Sequence, residues 1–427
     1  MFRTHIRIAL ACMLVCGGVV RADSAPVVSD VTASQRTDGS GIVDIWYTLK
    51  DDDNDQCTIT VQVSEDTGDT WTIVPSGGAL SGDLVSVAPG RRRIQWGSRA
   101  DLPWVYGTNY RVRVTADDGH SAGPPDMVLV PGGTFRMGDI FGEGYAHEQP
   151  VHVVTLSSFF MSRHEVTNGE YCQFLNAALQ RGRVVVRDGL VCKPGYESQY
   201  AYCETSARSA NSQIAYEGWV FSVRTKGGRD MSKDPMIRVT WYGAAVFCNW
   251  RSEQEGRQPC YDPYSWECDF NTDGYRLPTE AQWEYAARGG LSGHRFPWGD
   301  TITHSQANYY SRSDYPYDVS PTRGFHPGWD DGIRPLTSPV GSFPPDGCGL
   351  YDMAGNVWEW CNDWYRNDYY DRSPDNDPTG PWEGSDRVLR GGGWYTAPST
   401  CRVASRYYGE PLSRGDWVGF RLVVDLE

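Results

Sequence analysis

The sequence predicts an α+β chain in two parts: an all-β sandwich over residues 23–120, then a loop-rich domain with few helices over 127–427. Three observations carry this. Apolar and polar residues alternate in short runs before Gly119. After Met127 only three segments carry helix caps. Glycine and proline are frequent, 47 and 26 of 427 residues, which favours turns over long regular elements while staying below the low-complexity range.

Residues 1–22 come first and read as a secretory signal peptide. Arg3 and Arg7 precede the apolar run Ile8 to Val20, and Val20-Arg21-Ala22 supplies the cleavage pattern. The run is too short for a membrane anchor, which needs about 20 apolar residues. No later segment is apolar enough to insert in a bilayer. The expected location is secreted or periplasmic, an oxidising compartment in which cysteines pair. A net charge of −15 argues against nucleic acid as a partner.

Strands follow at Ile42–Leu49, Cys57–Val63, Thr70–Val74, Arg93–Trp96 and Tyr110–Thr115, separated by turn clusters such as Asp38-Gly39-Ser40 and Pro89-Gly90. Short strands at this spacing predict a sandwich of immunoglobulin or fibronectin type. The acidic run Asp51 to Asp55 reads as a solvated hairpin tip. Gly119 to Pro125 is the expected linker.

In the second domain, Thr167 and Glu170 form a capping box for a helix to about Gln180. Thr240 caps a helix from Trp241 to about Glu255, ended by Gly256. Thr279 and Gln282 form a second box, for a helix closed by Arg288 and Gly289. So little regular structure calls for other ties, and a disulfide between Cys260 and Cys268 is expected, with Cys192 and Cys203 as a second pair.

Several motifs fail on context. Asp269 to Gly274 with Glu280 spells a calcium hand, but Pro263 and Pro278 interrupt the required helices and Glu280 opens a capped helix. His147-Glu148 with His152 has the wrong spacing for a zinc protease, and Pro150 breaks the helix it would need.

Other motifs, read in order, agree with one family. They are Met127-Val-Leu-Val-Pro-Gly-Gly-Thr-Phe-Arg-Met-Gly138, Glu165-Val-Thr-Asn168, Gly274-Tyr-Arg-Leu-Pro-Thr-Glu280 and Phe296-Pro-Trp-Gly299, then Gly349-Leu-Tyr-Asp-Met-Ala-Gly-Asn-Val-Trp-Glu-Trp360, Arg390-Gly-Gly392 and Gly419-Phe-Arg421. The region 127–427 resembles the formylglycine-generating enzymes, or sulfatase-modifying factors. The resemblance implies a loop-rich, C-type-lectin-like domain. It also implies an oxygen-dependent oxidation of a sulfatase cysteine at two cysteines that bind copper(I), for which soft thiolates are suited.

Laid on this sequence, that pair falls on Thr396 and Cys401. Gly393, Ala397, Thr400 and Trp417 stand where the family has serine, histidine, tyrosine and asparagine. Trp358 and Cys401 are the catalytic positions that survive, and a lone thiolate does not make a two-coordinate copper site. Copper is therefore not expected as a cofactor. A second cysteine brought beside Cys401, with Cys361 and Cys348 as candidates, would restore the alternative reading of an active copper-dependent oxidase.

The resemblance also implies two structural calcium sites. The first falls on Asn308 and Asp331 with backbone oxygens of Tyr309 and Ile333. The second falls on Asp352 and Glu359 with carbonyls of Gly355 and Val357. Carboxylate and carbonyl oxygens are what Ca²⁺ prefers. The function so implied is a secreted, degenerate family member that keeps a calcium-stabilised groove for a peptide or other ligand. A sulfatase or another secreted protein is the expected partner.

Overall fold

The computed structural model describes residues 26–426 apart from 52–55, 65–72, 76–78, 102–109, 118–123, 125 and 198. The signal peptide, most of the acidic run, most of the expected strand at 70–74 and most of the linker lie outside the described residues.

Among the described residues of the first part there are six strands: β1 Val27–Gln35, β2 Ile42–Lys50, β3 Thr58–Ser64, β4 Leu80–Gly82, β5 Gly90–Gly97 and β6 Arg111–Asp117. They make one sheet in the order β1-β2-β5-β4 and a β3-β6 pair. Period-two alternation turns Ile45, Tyr47 and Leu49 of β2, with Ile94 and Trp96 of β5, toward Ile59, Val61 and Val63 of β3 in one apolar cluster. Among the described residues that cluster contains none after Ala116.

The second part begins with β7 Met127–Val130, β8 Gly133–Met137, β9 His152–Leu156 and β10 Phe159–Ser162. Helix α1 spans Asn168–Gln180. Seven short strands follow: β11 Val185–Arg187, β12 Leu190–Cys192, β13 Ala201–Glu204, β14 Ile214–Glu217, β15 Val220–Val223, β16 Thr225–Lys226 and β17 Arg229–Asp230. Helices α2 Trp241–Gln254 and α3 Glu280–Ala287 come next. The chain ends with β18 Trp358–Trp364, β19 Arg387–Arg390, β20 Tyr407–Gly409, β21 Val418–Gly419 and β22 Val423–Asp425.

All three helices start where the caps placed them. The Thr167 side chain accepts from the Glu170 N–H, and the Thr279 side chain from the Gln282 N–H, each inside a full capping box. Thr240 accepts from the Gly243 N–H. Each such cap is worth about 1 kcal/mol.

Strand β18 organises the site. It pairs antiparallel with β19 and parallel with β21, with Glu359 opposite both Arg390 and Gly419. Trp358 and Trp360 point into the large aromatic core that also holds Tyr171, Phe247 and Trp241. Cys361 points to the other face, into a core with Trp283 and Met353. Glu359 therefore emerges on the α3 side, beside Trp283.

Two disulfide expectations are corrected. Cys192, Cys203, Cys260 and Cys268 are free thiols. Cys260 and Cys268 do meet, in a loop closed by the Asp269 N–H on the Cys260 carbonyl at 2.8 Å, but they share a thiol hydrogen bond. Cys192 and Cys203 lie on the adjacent strands β12 and β13. A bulge there sets Cys192 opposite Ala201 and Cys203 opposite Val191, so the two are not direct cross-strand partners.

Candidate functional site

The segment after β19 turns sharply at Gly391 and Gly392, both with positive φ, 97° and 76°. A Cβ on Gly392 would lie 2.8 Å from the Cys401 sulfur, so only glycine lets the backbone pass so close. Cys401 itself is fully buried, in a small cluster with Phe296, Ile302, Ala307, Tyr309 and Ala354. Burial pushes its thiol up to about 12, against hydrogen bonds from Thr400 and Thr396.

Thr396 thus stands beside Cys401, as the motif spacing required. Its hydroxyl accepts from the Gly393 N–H at 2.9 Å and from the Thr400 hydroxyl at 2.8 Å. A hard, neutral oxygen and a thiol that stays protonated at neutral pH do not fit copper(I). Neither candidate partner thiol reaches this place: Cys361 and Cys348 pack in and against a different core. The idea of a rearranged thiol pair at Cys401 is corrected on that ground.

Thr396 and Thr400 open instead into a groove of about 560 Å³ lined largely by aromatic rings. Trp358, buried at its base, lies 5.2 Å from Tyr407 between ring centroids. Tyr365 stacks on Tyr408 at 4.1 Å. The Tyr365 hydroxyl meets His147 Nδ1 at 2.5 Å. Burial, with the Arg406 charge adding to it, lowers His147 to about 4, so its ring is neutral at pH 7.

Buried ion pairs hold the groove walls. Arg406 donates to both Glu280 oxygens at 2.6 and 2.7 Å and to the His147 carbonyl at 2.6 Å. Arg402 grips Glu148 at 2.8 and 2.9 Å. Arg390 pairs with Glu284, which also holds Arg288 at 2.6 Å. A lone charge in such places would be costly, so each pair fixes its loops only while both partners are present.

The two oxygen sets lie back to back. Gly355 packs so tightly that a Cβ would fall 2.5 Å from the Asn308 carbonyl, which accepts the Asn356 N–H at 2.8 Å. Asp352 of the second set and the neighbouring Asn356 both take left-handed backbone, φ 58° and 59°, a conformation that Asp and Asn tolerate better than most residues. Glu359 is fully buried and receives Arg421 at 2.6 and 2.7 Å and the Trp283 indole at 2.8 Å. Asp352 accepts the Gly341 N–H with one oxygen at 2.7 Å; its Oδ1 is buried without a partner. Burial pushes Asp352 up to about 6.

A third carboxylate joins them. Glu165 accepts from Asn356 Nδ2 at 3.0 Å, and its other oxygen is buried without a partner. Burial raises it well above the usual range, and the Asp352 charge adds to this. Two buried oxygens here, Asp352 Oδ1 and Glu165 Oε2, have no partner, while among the described residues no three acidic, histidine or cysteine side chains are grouped to hold a metal ion. Glu165 lies in the Glu165–Asn168 motif, where its only sequence signal is an acid beside apolar Val166.

The first set differs. Asn308 is buried, but its Nδ2 donates to the Leu336 carbonyl at 2.8 Å. His304 Nε2 lies 3.1 Å from the Tyr309 carbonyl. Asp331 is 41% exposed, and its carboxylate and the Ile333 carbonyl are both reached by Lys226. Three of the four oxygens, those of Asp331, Tyr309 and Ile333, thus already accept hydrogen bonds within the chain, and with the Lys226 charge among them the set does not fit a calcium ion. Among the described residues no helix is long and apolar enough to cross a membrane.

The sulfatase-modifying factor enzyme 1-like domain matches residues 115–426. The formylglycine-generating enzyme of Streptomyces coelicolor is 36% identical over 330 residues, covering 73% of this chain and 94% of that protein. The inactive Cα-formylglycine-generating enzyme 2 of Bos taurus is 30% identical over 312 residues, 69% of this chain and 87% of that one. Among solved structures, Treponema denticola variable protein 1 is 26% identical, with a TM-score of 0.49 over 70% of this chain and 95% of its own. With matched motifs running from Met127 to Arg421, the chain belongs to the sulfatase-modifying factor enzyme 1-like family.

Proposed function

We propose that the chain is a secreted or periplasmic, catalytically degenerate member of this family that binds an extended peptide or similar ligand in its aromatic groove. The observation that carries this is the Thr396 hydroxyl beside the buried, protonated Cys401 thiol. Trp358, Tyr407, Tyr365 and Tyr408 supply ring faces for apolar or aromatic ligand groups. A sulfatase or another exported protein is the proposed partner class. The immunoglobulin- or fibronectin-type sandwich proposed for the first part serves as a spacer or second binding module.

A structural calcium ion belongs to the same proposal, held by Asp352 with Glu359 and the carbonyls of Gly355 and Val357. It would tie loops together and supply charge that Arg421 alone leaves short; the unpaired Asp352 Oδ1 supports this.

The test is to incubate the mature protein with copper(I), oxygen and a Cys-x-Pro-x-Arg peptide, and to follow both binding and aldehyde by mass spectrometry. Peptide retention without aldehyde is expected. Aldehyde formation abolished by Cys401→Ala would overturn the proposal and favour the oxidase.

A further inference from the structure

The hairpin β16–β17 lies within the long segment between α1 and α2 and turns on Gly227 and Gly228, φ 57° and 85°. It carries Lys226, whose side chain is only 5% exposed. The Lys226 ammonium donates to the Pro335 carbonyl at 2.6 Å and the Ile333 carbonyl at 3.0 Å, and lies 3.2 Å from Asp331 Oδ2. An ammonium has three donors, and here each meets one oxygen. Two of the three acceptors are oxygens expected to ligate the first calcium ion. Calcium binds oxygen at about 2.3–2.6 Å, so an ion on Asp331 and Ile333 would share its ligands with a fixed positive charge.

The rest of the hairpin is docked as firmly. Arg229 pairs with the buried Asp234 at 2.5 Å, and Asp234 accepts the Thr337 hydroxyl at 2.6 Å. The hairpin thus grips both ends of the segment from Asp331 to Thr337, and Lys226 is delivered by backbone held in place.

We infer that the Lys226 ammonium is the resident cation of the first oxygen set and does there, from within the chain, what a calcium ion would do: it gathers Asp331, Ile333 and Pro335 into one turn. This holds whether or not the second set binds calcium or the groove binds a peptide.

The test uses the mature full-length chain carrying Asp352→Asn, so that the second set is silent. With Lys226 present, millimolar calcium should leave the melting temperature where EDTA leaves it. Adding Lys226→Ala should lower it by about 5 °C or more in EDTA, and calcium should recover part of the loss because the oxygens are freed. A calcium shift with Lys226 intact that Asp331→Asn removes would overturn the inference; so would a loss in Lys226→Ala that calcium leaves untouched. Should Lys226→Ala fail to fold, amine acylation of the unmutated chain decides. Lys226 should label at least ~10-fold more slowly than exposed Lys233, equally with calcium and with EDTA, as expected for a buried, fully bonded ammonium. Labelling of Lys226 that calcium brings up to the Lys233 rate would contradict the inference.

Discussion

The two oxygen sets touch through Gly355 and Asn308 and are built differently. Around Asp352, the Arg421 guanidinium pairs with Glu359, and one oxygen each of Asp352 and Glu165 is buried with no partner. Around Asp331, a lysine from a hairpin about a hundred residues upstream fills the place of the ion. The copper position is a third variant. There a ligand itself has changed, Thr396 for a thiol. A metal site is thus lost by replacing a ligand or by supplying a rival cation, and only the first kind is visible in the motif that names the ligands.

Removing the guanidinium of the second set should have the largest effect. Arg421→Met leaves Glu359, Asp352 and Glu165 without a fixed cation and should cost about 3–5 kcal/mol in chemical denaturation with EDTA present. Calcium should return more of that loss than it adds to the unmutated chain, since the ion takes over the role of Arg421. A loss that calcium leaves unchanged would break the distinction between the sets.

Thr396→Cys probes the change of ligand. It should tighten copper(I) binding by about a hundredfold, equivalent to about 2.7 kcal/mol, as followed by competition with a chromogenic chelator. Aldehyde yield from the test peptide should stay near background, because Gly393, Ala397 and Thr400 still lack the polar groups that the resemblance implies for the reaction. Full turnover from this one change would show that the groove is degenerate in one residue only.

A smaller effect comes from an acid outside both sets. Asp363 is pushed up to about 7 by burial, with the Glu280 charge adding to it. Its folded pKa lies above the unfolded value of about 3.9, so its contribution to stability is full below about pH 4 and is lost as pH rises through about 7. Asp363→Asn keeps an oxygen to accept the Glu280 N–H and should flatten that decline, raising the melting temperature by a few degrees at about pH 8 while changing little at about pH 5. Equal slopes in both proteins would mean that another group carries the titration.

Much of the fold was legible because its signals are local. Thr167, Thr240 and Thr279 cap the three helices where the sequence put them, and alternation located β2, β3, β5 and β6 of the first part but not β1 or β4. The segments carrying Thr396, Cys401, Asp352 and Glu359 were legible through the motifs. What was not legible depends on distant partners. Nothing near Asp331 points to Lys226, which lies in a segment with no motif. Arg421, although within a motif, gives no hint that it closes on Glu359 from 62 residues away. For Cys192 and Cys203 the reason is of the same kind: spacing brings two thiols near, whereas a bulge between Val191 and Cys192 decides how they face.

The direct test of the contrast between the two sets is the calcium content of the purified mature protein, counted by titration calorimetry after chelation and exchange. The account predicts one calcium per chain, lost in Asp352→Asn and unchanged in Asp331→Asn. Two calcium ions per chain, one of them lost in Asp331→Asn, would contradict it.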